Sequence, residues 1–113
     1  MKGSYLGEFQ EIVLLSVLAL TNEAYGVKIQ KEIAEKSGRS ISRGGLHSTL
    51  SRLEEKGFLE SKLGEATKVR GGKSKKIYSV TNLGRNALME AEAVRKEFRK
   101  SILDLNWMKF GAA

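Results

Sequence analysis

Ser42-Arg43-Gly44-Gly45-Leu46-His47-Ser48-Thr49-Leu50-Ser51-Arg52-Leu53-Glu54-Glu55-Lys56-Gly57-Phe58-Leu59 reads as one helix with a start signal and a stop signal. Leu46, Leu50 and Leu53 recur at i, i+4 and i+7, which sets them in one narrow apolar stripe. Ser42 suits the start, because its hydroxyl can accept a backbone N–H that the first turn leaves unpaired. Gly57 suits the end, because a left-handed residue after the last turn brings no Cβ clash to glycine. Away from the leucines lie Arg43, His47, Ser48, Ser51 and Arg52, short polar or cationic groups. A helix anchored by leucines and showing such groups outward has the make-up of a DNA recognition helix. Any amphipathic surface helix has the same pattern, so the flanking sequence has to decide.

Upstream, Phe9, Ile12, Val13, Leu15, Val17, Leu18 and Leu20 predict a first helix that is apolar nearly all round and therefore central. Asn22 and Gly26 mark a turn. Val27 to Lys36 is a second helix with Ile29 and Ile33 inward, closed by Ser37-Gly38. Arg39-Ser40-Ile41 reads as a very short strand. Two short helices joined by a brief turn, the second with a polar outer face, form a helix-turn-helix.

Downstream the periodicity changes. Residues 58–63 and 76–80 alternate, with Leu59, Leu63 and Ile77 set between polar neighbours, and Gly71-Gly72 between them is a turn signal. The two runs predict a β-hairpin with a long tip. Lys68, Arg70, Lys73, Lys75 and Lys76 stand against the lone Glu65 there. A basic run is usually just a solvated surface, but here it occupies the place of the wing in a winged helix.

Thr81 is placed to cap a last helix running from Asn82 to Lys109. Ala87, Ala91, Val94, Phe98, Leu105 and Met108 fall on alternating three- and four-residue steps, with Ile102 beside the one polar slot, Ser101. Such a seam lets a helix pack along another helix. The winged core is largely complete by Val80, so a second copy of the chain is the expected partner, and Arg95, Lys96, Arg99 and Lys100 fall on the outer face. The expected fold is mostly α with a small β-hairpin: a winged helix-turn-helix over residues 1–80, then a long dimerisation helix over 81–113.

Composition bounds the partner. With 113 residues the chain forms one domain with one appended element. Twenty Lys and Arg against 13 Asp and Glu give +7, which favours an anionic partner such as nucleic acid, though a membrane surface attracts the same sign. There is no cysteine, which excludes disulfides and thiolate metal sites and suits a cytoplasmic location. The longest apolar run, 12–20, is too short to span a bilayer and is interrupted by Ser16, and the opening residues do not read as a signal peptide. With a single histidine, a metal at His47 would need carboxylates alone, so no metal or other cofactor is expected.

Three blocks resemble the PadR family of bacterial and archaeal transcriptional regulators. Residues 6–15 followed by Ala24-Tyr25-Gly26-Val27 resemble the family's opening helix and its Tyr-Gly lead into the second. Gly44 to Leu59 resembles its Gly-x-Leu-Tyr-x-x-Leu-x-x-Leu-Glu-x-x-Gly block. Tyr78-Ser79-Val80-Thr81-Asn82-Leu83-Gly84 resembles its strand-to-helix junction. His47 stands where most members have tyrosine, and Arg43 where proline is common, so no role can be borrowed for that tyrosine. The single C-terminal helix resembles the shorter subgroup. The resemblance implies a homodimeric winged-helix repressor, released from double-stranded DNA by a small ligand or another signal.

On this reading Arg43, His47, Ser48, Ser51 and Arg52 touch DNA, and Ser42 with the Gly44 and Gly45 amides holds a phosphate at the positive helix end. The competing readings are an ion pair to Glu55 for Arg52 and a packing role for His47. Lys68, Arg70, Lys73, Lys75 and Lys76 meet phosphates. Trp107 and Phe110 are candidates for a ligand pocket, against a plug in the dimer interface. An enzyme is disfavoured: Gly71-Gly72 lacks the Gly-Lys-Ser/Thr ending of a phosphate loop, and one histidine limits acid–base chemistry. An architectural DNA- or RNA-binding protein remains an alternative, as does a plasmid or phage replication-control protein.

Overall fold

Leu46, Leu50 and Leu53 turn to one side of their helix and keep 2 % exposure or less. They do so in a computed structural model that describes residues 5–64 and 75–102. The elements are α1 (Glu8–Ala19), α2 (Gly26–Ser37), α3 (Arg43–Glu55), β1 (Leu59–Leu63), β2 (Lys76–Val80) and α4 (Asn82–Lys100). The leucines meet Val13, Leu14 and Val17 of α1 and Ile29 and Ile33 of α2, and Phe58, Leu59, Tyr78, Val80 and Ala87 complete one core. The chain is mostly helical with a two-stranded antiparallel sheet, as the periodicities imply.

Helix α1 is less enclosed than its composition suggests. Val13, Leu14, Ser16 and Val17 are buried, but Leu15 is exposed together with Glu8 and Ala19 on the same side. A domain this small has too few elements to surround a helix completely. The strand expected at Arg39-Ser40-Ile41 is absent. The Ile41 carbonyl accepts instead from Gln30 Nε2 at 2.7 Å, so a side chain of α2 fixes the turn into α3.

The hairpin pairs Leu59 with Val80, Ser61 with Tyr78 and Leu63 with Lys76. Its core face is Leu59, Tyr78 and Val80; Ile77 points to the other face, and Leu63 is 71 % exposed. Apolar character alone misplaces these residues because the core ends before the outer half of the hairpin, so the face is set by the register with Tyr78 and Val80. A further bond, from the Tyr78 N–H to the Ala24 carbonyl at 2.9 Å, ties β2 to the turn between α1 and α2.

Two glycines set how the chain passes from α3 through the hairpin into α4. Gly57 has φ +82, the left-handed region, and its N–H bonds the Glu54 carbonyl at 2.9 Å. The Thr81 hydroxyl then donates to the Gly57 carbonyl at 2.6 Å and accepts the Gly84 N–H at 3.0 Å, capping α4 as expected. Gly84 lies so close that a Cβ there would come within 2.3 Å of the Phe58 carbonyl oxygen.

Beyond this junction α4 soon leaves the body. Gly84 and Ala87 are buried, Ala91 is half-buried, and every residue from Glu92 to Ile102 is exposed. The described helix runs to Lys100, where the Ser101 and Ile102 N–H groups bond carbonyls three residues back, and the rest of the stretch expected to reach Lys109 lies outside the described residues. Leu105, Trp107, Met108 and Phe110 lie outside the described residues. Arg95, expected on the outer face, reaches back to Glu11 of α1 at 2.6 Å.

The contact at Gly84 gives a first test. Replacing Gly84 by Ala should lower stability by about 1–3 kcal/mol, the usual cost of forcing an atom into a packed site. It would be read as a reduced urea midpoint at unchanged slope; an unaltered midpoint would contradict the packing.

Candidate nucleic-acid interface

With its leucines inward, α3 presents Arg43, His47, Ser48 and Arg52 to solvent and leaves Ser51 half-buried. Among the described residues neither Arg43 nor Arg52 is held in an ion pair, so the competing pairing of Arg52 with Glu55 is not made. His47 stands in solvent rather than in the core. The helix start is built by Ser42, whose Oγ accepts the Gly45 N–H at 2.9 Å.

That bond divides the two glycines. The Gly45 amide is already committed to the cap. A Cβ on Gly45 would lie 3.0 Å from the Ser42 oxygen, whereas one on Gly44 would meet nothing within 4 Å. Gly45 is explained by the cap; among the described residues no neighbour calls for a glycine at 44.

Beside the first half of α3 lies an open groove of about 350 Å³. Leu46, Leu50 and Tyr78 form its floor, and Arg43, His47, Lys75 and Lys76 stand round it. No carboxylate is among its described lining residues. Lys75 and Lys76 reach this place because β2 begins there, held against the α1–α2 turn through Ala24. The Lys75 ammonium sits 4.1 Å from the centre of the Tyr25 ring. Lys76 is shared: its Nζ is 3.5 Å from Glu54 Oε1, and Glu54 also accepts the Ser61 hydroxyl at 2.7 Å. Burial pushes the Tyr78 phenol above its ordinary pKa, opposed by the nearby Lys76 charge, so it stays neutral at physiological pH. Lys68, Arg70 and Lys73, the other candidates in the wing, lie outside the described residues.

Tyr25 and Glu54 are the groups that residue-by-residue reading did not single out. Both act across long stretches of chain, Tyr25 on Lys75 and Glu54 on Lys76, and no local periodicity signals such pairs. Among the described residues no group of three potential metal ligands comes together, and no helix is long and apolar enough to cross a membrane.

The family model for PadR-like transcriptional regulators matches residues 14–90, most of the described body. The chain belongs to that family. This PadR-like chain is 34 % identical over 99 residues to the transcriptional regulator Rv3488 of Mycobacterium tuberculosis, covering 85 % of this chain and 88 % of that one. A PadR-like transcription factor from Bacteroides fragilis shares the fold with a TM-score of 0.67 at 28 % identity, over 82 % of this chain and 84 % of that one. A PadR family regulator from Clostridium difficile R20291 gives 0.65 at 25 % identity, over 82 % and 93 %. The architecture is thus a winged helix of a DNA-binding transcriptional regulator.

The start of α3 can be tested on the folded protein alone. Ser42→Ala should cost about 1 kcal/mol in thermal unfolding, the usual value of a lost N-cap. Gly44→Ala should cost nothing and stabilise by up to about 1 kcal/mol through helix propensity. The opposite order of the two variants would contradict the assignment.

Proposed function

We propose that the chain is a sequence-specific, homodimeric repressor that reads a palindromic operator with α3. The carrying observation is the division of α3: its leucines are buried while Arg43, His47, Ser48 and Arg52 face solvent beside the cationic start of β2. Each α3 lies in a major groove, and the hairpin follows the adjacent backbone, with Lys75, Lys76 and the Lys68, Arg70 and Lys73 of its tip near phosphates. Gly44 lets the backbone approach a phosphate closely at the positive end of the helix. Two-fold symmetry then places the half-sites about one helical turn apart, roughly 34 Å.

In this reading residues 1–80 are the DNA reader and 81–113 join two copies. The exposed stretch of α4 supports it: Val94 is 55 % and Phe98 70 % exposed, with Ile102 continuing the same seam. Leu105 and Met108 extend that seam in sequence. Release by a small ligand, near Trp107 and Phe110, requires that the ligand bind better to a dimer whose two reading helices are wrongly spaced. No catalytic role is proposed, and the cell compartment that fits is the cytoplasm, where the DNA of a prokaryote is.

Selection of bound duplexes from random sequence, repeated at two salt concentrations, tests the reading. A regulator should prefer its selected site about a thousandfold or more over random duplex. Ser48→Ala or Arg52→Ala should change the selected sequence, whereas Arg70→Ala should weaken all sequences alike and lower the salt slope by about one. Equal affinity for all duplexes would instead mean an architectural protein.

Sedimentation tests the assembly. The native chain should run as a dimer, and Phe98→Glu should run as a folded monomer with much weaker operator binding. A native monomer, or a dimer untouched by Phe98→Glu, would rule out the α4 seam.

A further inference from the structure

We propose that Tyr25 is a positioning residue for DNA binding, its ring holding the Lys75 ammonium on the DNA side of the hairpin where β2 begins. The inference rests on the reading above that Lys75 faces a phosphate. The two residues lie 50 positions apart in sequence, yet both are fixed at the backbone before their side chains meet. The Tyr25 N–H bonds the Glu23 carbonyl at 3.0 Å, and its own carbonyl accepts the first bond of α2, from Ile29 at 2.9 Å. The Lys75 carbonyl accepts the Gly64 N–H at 2.7 Å, which adds one bond to the loop end of the paired strands. The bond from Tyr78 to Ala24 joins the two segments directly. Between these anchors the ammonium lies 4.1 Å from the ring centre, within reach of the ring's negative face.

The other cations round the groove are held differently. Lys76 has Glu54, whose negative charge also competes with a phosphate for it. Arg43 is in no ion pair among the described residues. Lys75 is in no ion pair among the described residues and is held by a neutral group, which orders the side chain without cancelling its charge toward an incoming anion. A free lysine has much rotamer freedom to lose when it binds, and a residue that removes this freedom beforehand raises affinity with no contact of its own. At a site open to solvent the effect is modest, about two- to fivefold in affinity.

The experiment is a double-mutant cycle of Tyr25→Leu and Lys75→Met, with Tyr25→Phe as the conservative variant. The full-length protein is titrated with its selected duplex at two salt concentrations. Lys75→Met should lower the salt slope by about one, Tyr25→Leu should weaken binding about two- to fivefold, and Tyr25→Phe should bind like the native chain. In the Lys75→Met background, Tyr25→Leu should cost nothing further; an equal cost in both backgrounds overturns the proposal. An unchanged slope in Lys75→Met means that Lys75 does not face DNA, which removes the contact from the interface and the proposal with it. Should Tyr25→Leu fail to fold, proton NMR of the free native protein decides. The Lys75 side-chain signals should lie upfield of those of other exposed lysines through the ring current and should keep that position in Tyr25→Phe; ordinary positions overturn the proposal.

Discussion

Helix α4 leaves the body in a direction fixed by one backbone oxygen. The Phe58 carbonyl accepts the Thr81 N–H at 3.0 Å, and Gly84 packs so closely on it that a methyl group could not be inserted. The Thr81 hydroxyl adds a second hold by bridging the Gly57 carbonyl and the Gly84 amide. Phe58 follows directly on the end of α3, and its own N–H bonds the Leu53 carbonyl. The start of α4 is therefore registered to the end of α3 through a few short bonds, with no loop between that could absorb a change of angle. In a winged helix whose last helix carries the partner, that registration would set how far apart two reading helices sit.

The orientation of α3 about its own axis has a separate origin. Leu46, Leu50 and Leu53 enter the same core as Val13, Leu14, Val17, Ile29 and Ile33, and the packing leaves one rotation that buries all three. Gln30 and Ser42 set where the helix begins, one by holding the Ile41 carbonyl and the other by capping Gly45. Apolar burial chooses which side faces outward, and polar bonds choose where along the chain that side starts.

This division explains what could be read from the residues alone. The leucine stripe, the Ser42 and Thr81 caps and the Gly57 stop are local signals, and each appears at its expected place. Elements whose outcome depends on a distant partner were not legible. The extended Arg39-Ser40-Ile41 forms no strand because Gln30, eleven residues before Ile41, takes the carbonyl a strand would use. Arg95 counts as an outward cation by helical spacing, yet Glu11 draws it onto α1. Leu15 has the composition of a core residue but lies on a side of α1 that nothing covers among the described residues. In the interface, the exposure of Arg43, His47, Ser48 and Arg52 follows from the stripe, whereas the arrangement of Lys75 and Lys76 depends on Tyr25 and Glu54.

The ion pairs have a practical consequence. Lys28 with Glu23, Arg39 with Glu8, Arg95 with Glu11 and Lys100 with Glu97 all have at least one member well exposed to water. Pairs of that kind add little to stability, and dissolved ions screen them, while the apolar core is indifferent to such screening. Attraction to a polyanion depends on the same screening far more steeply. Concentrated sodium chloride should thus strip co-purifying nucleic acid from this protein without unfolding it, and lowering the salt again should restore the complex from intact chains.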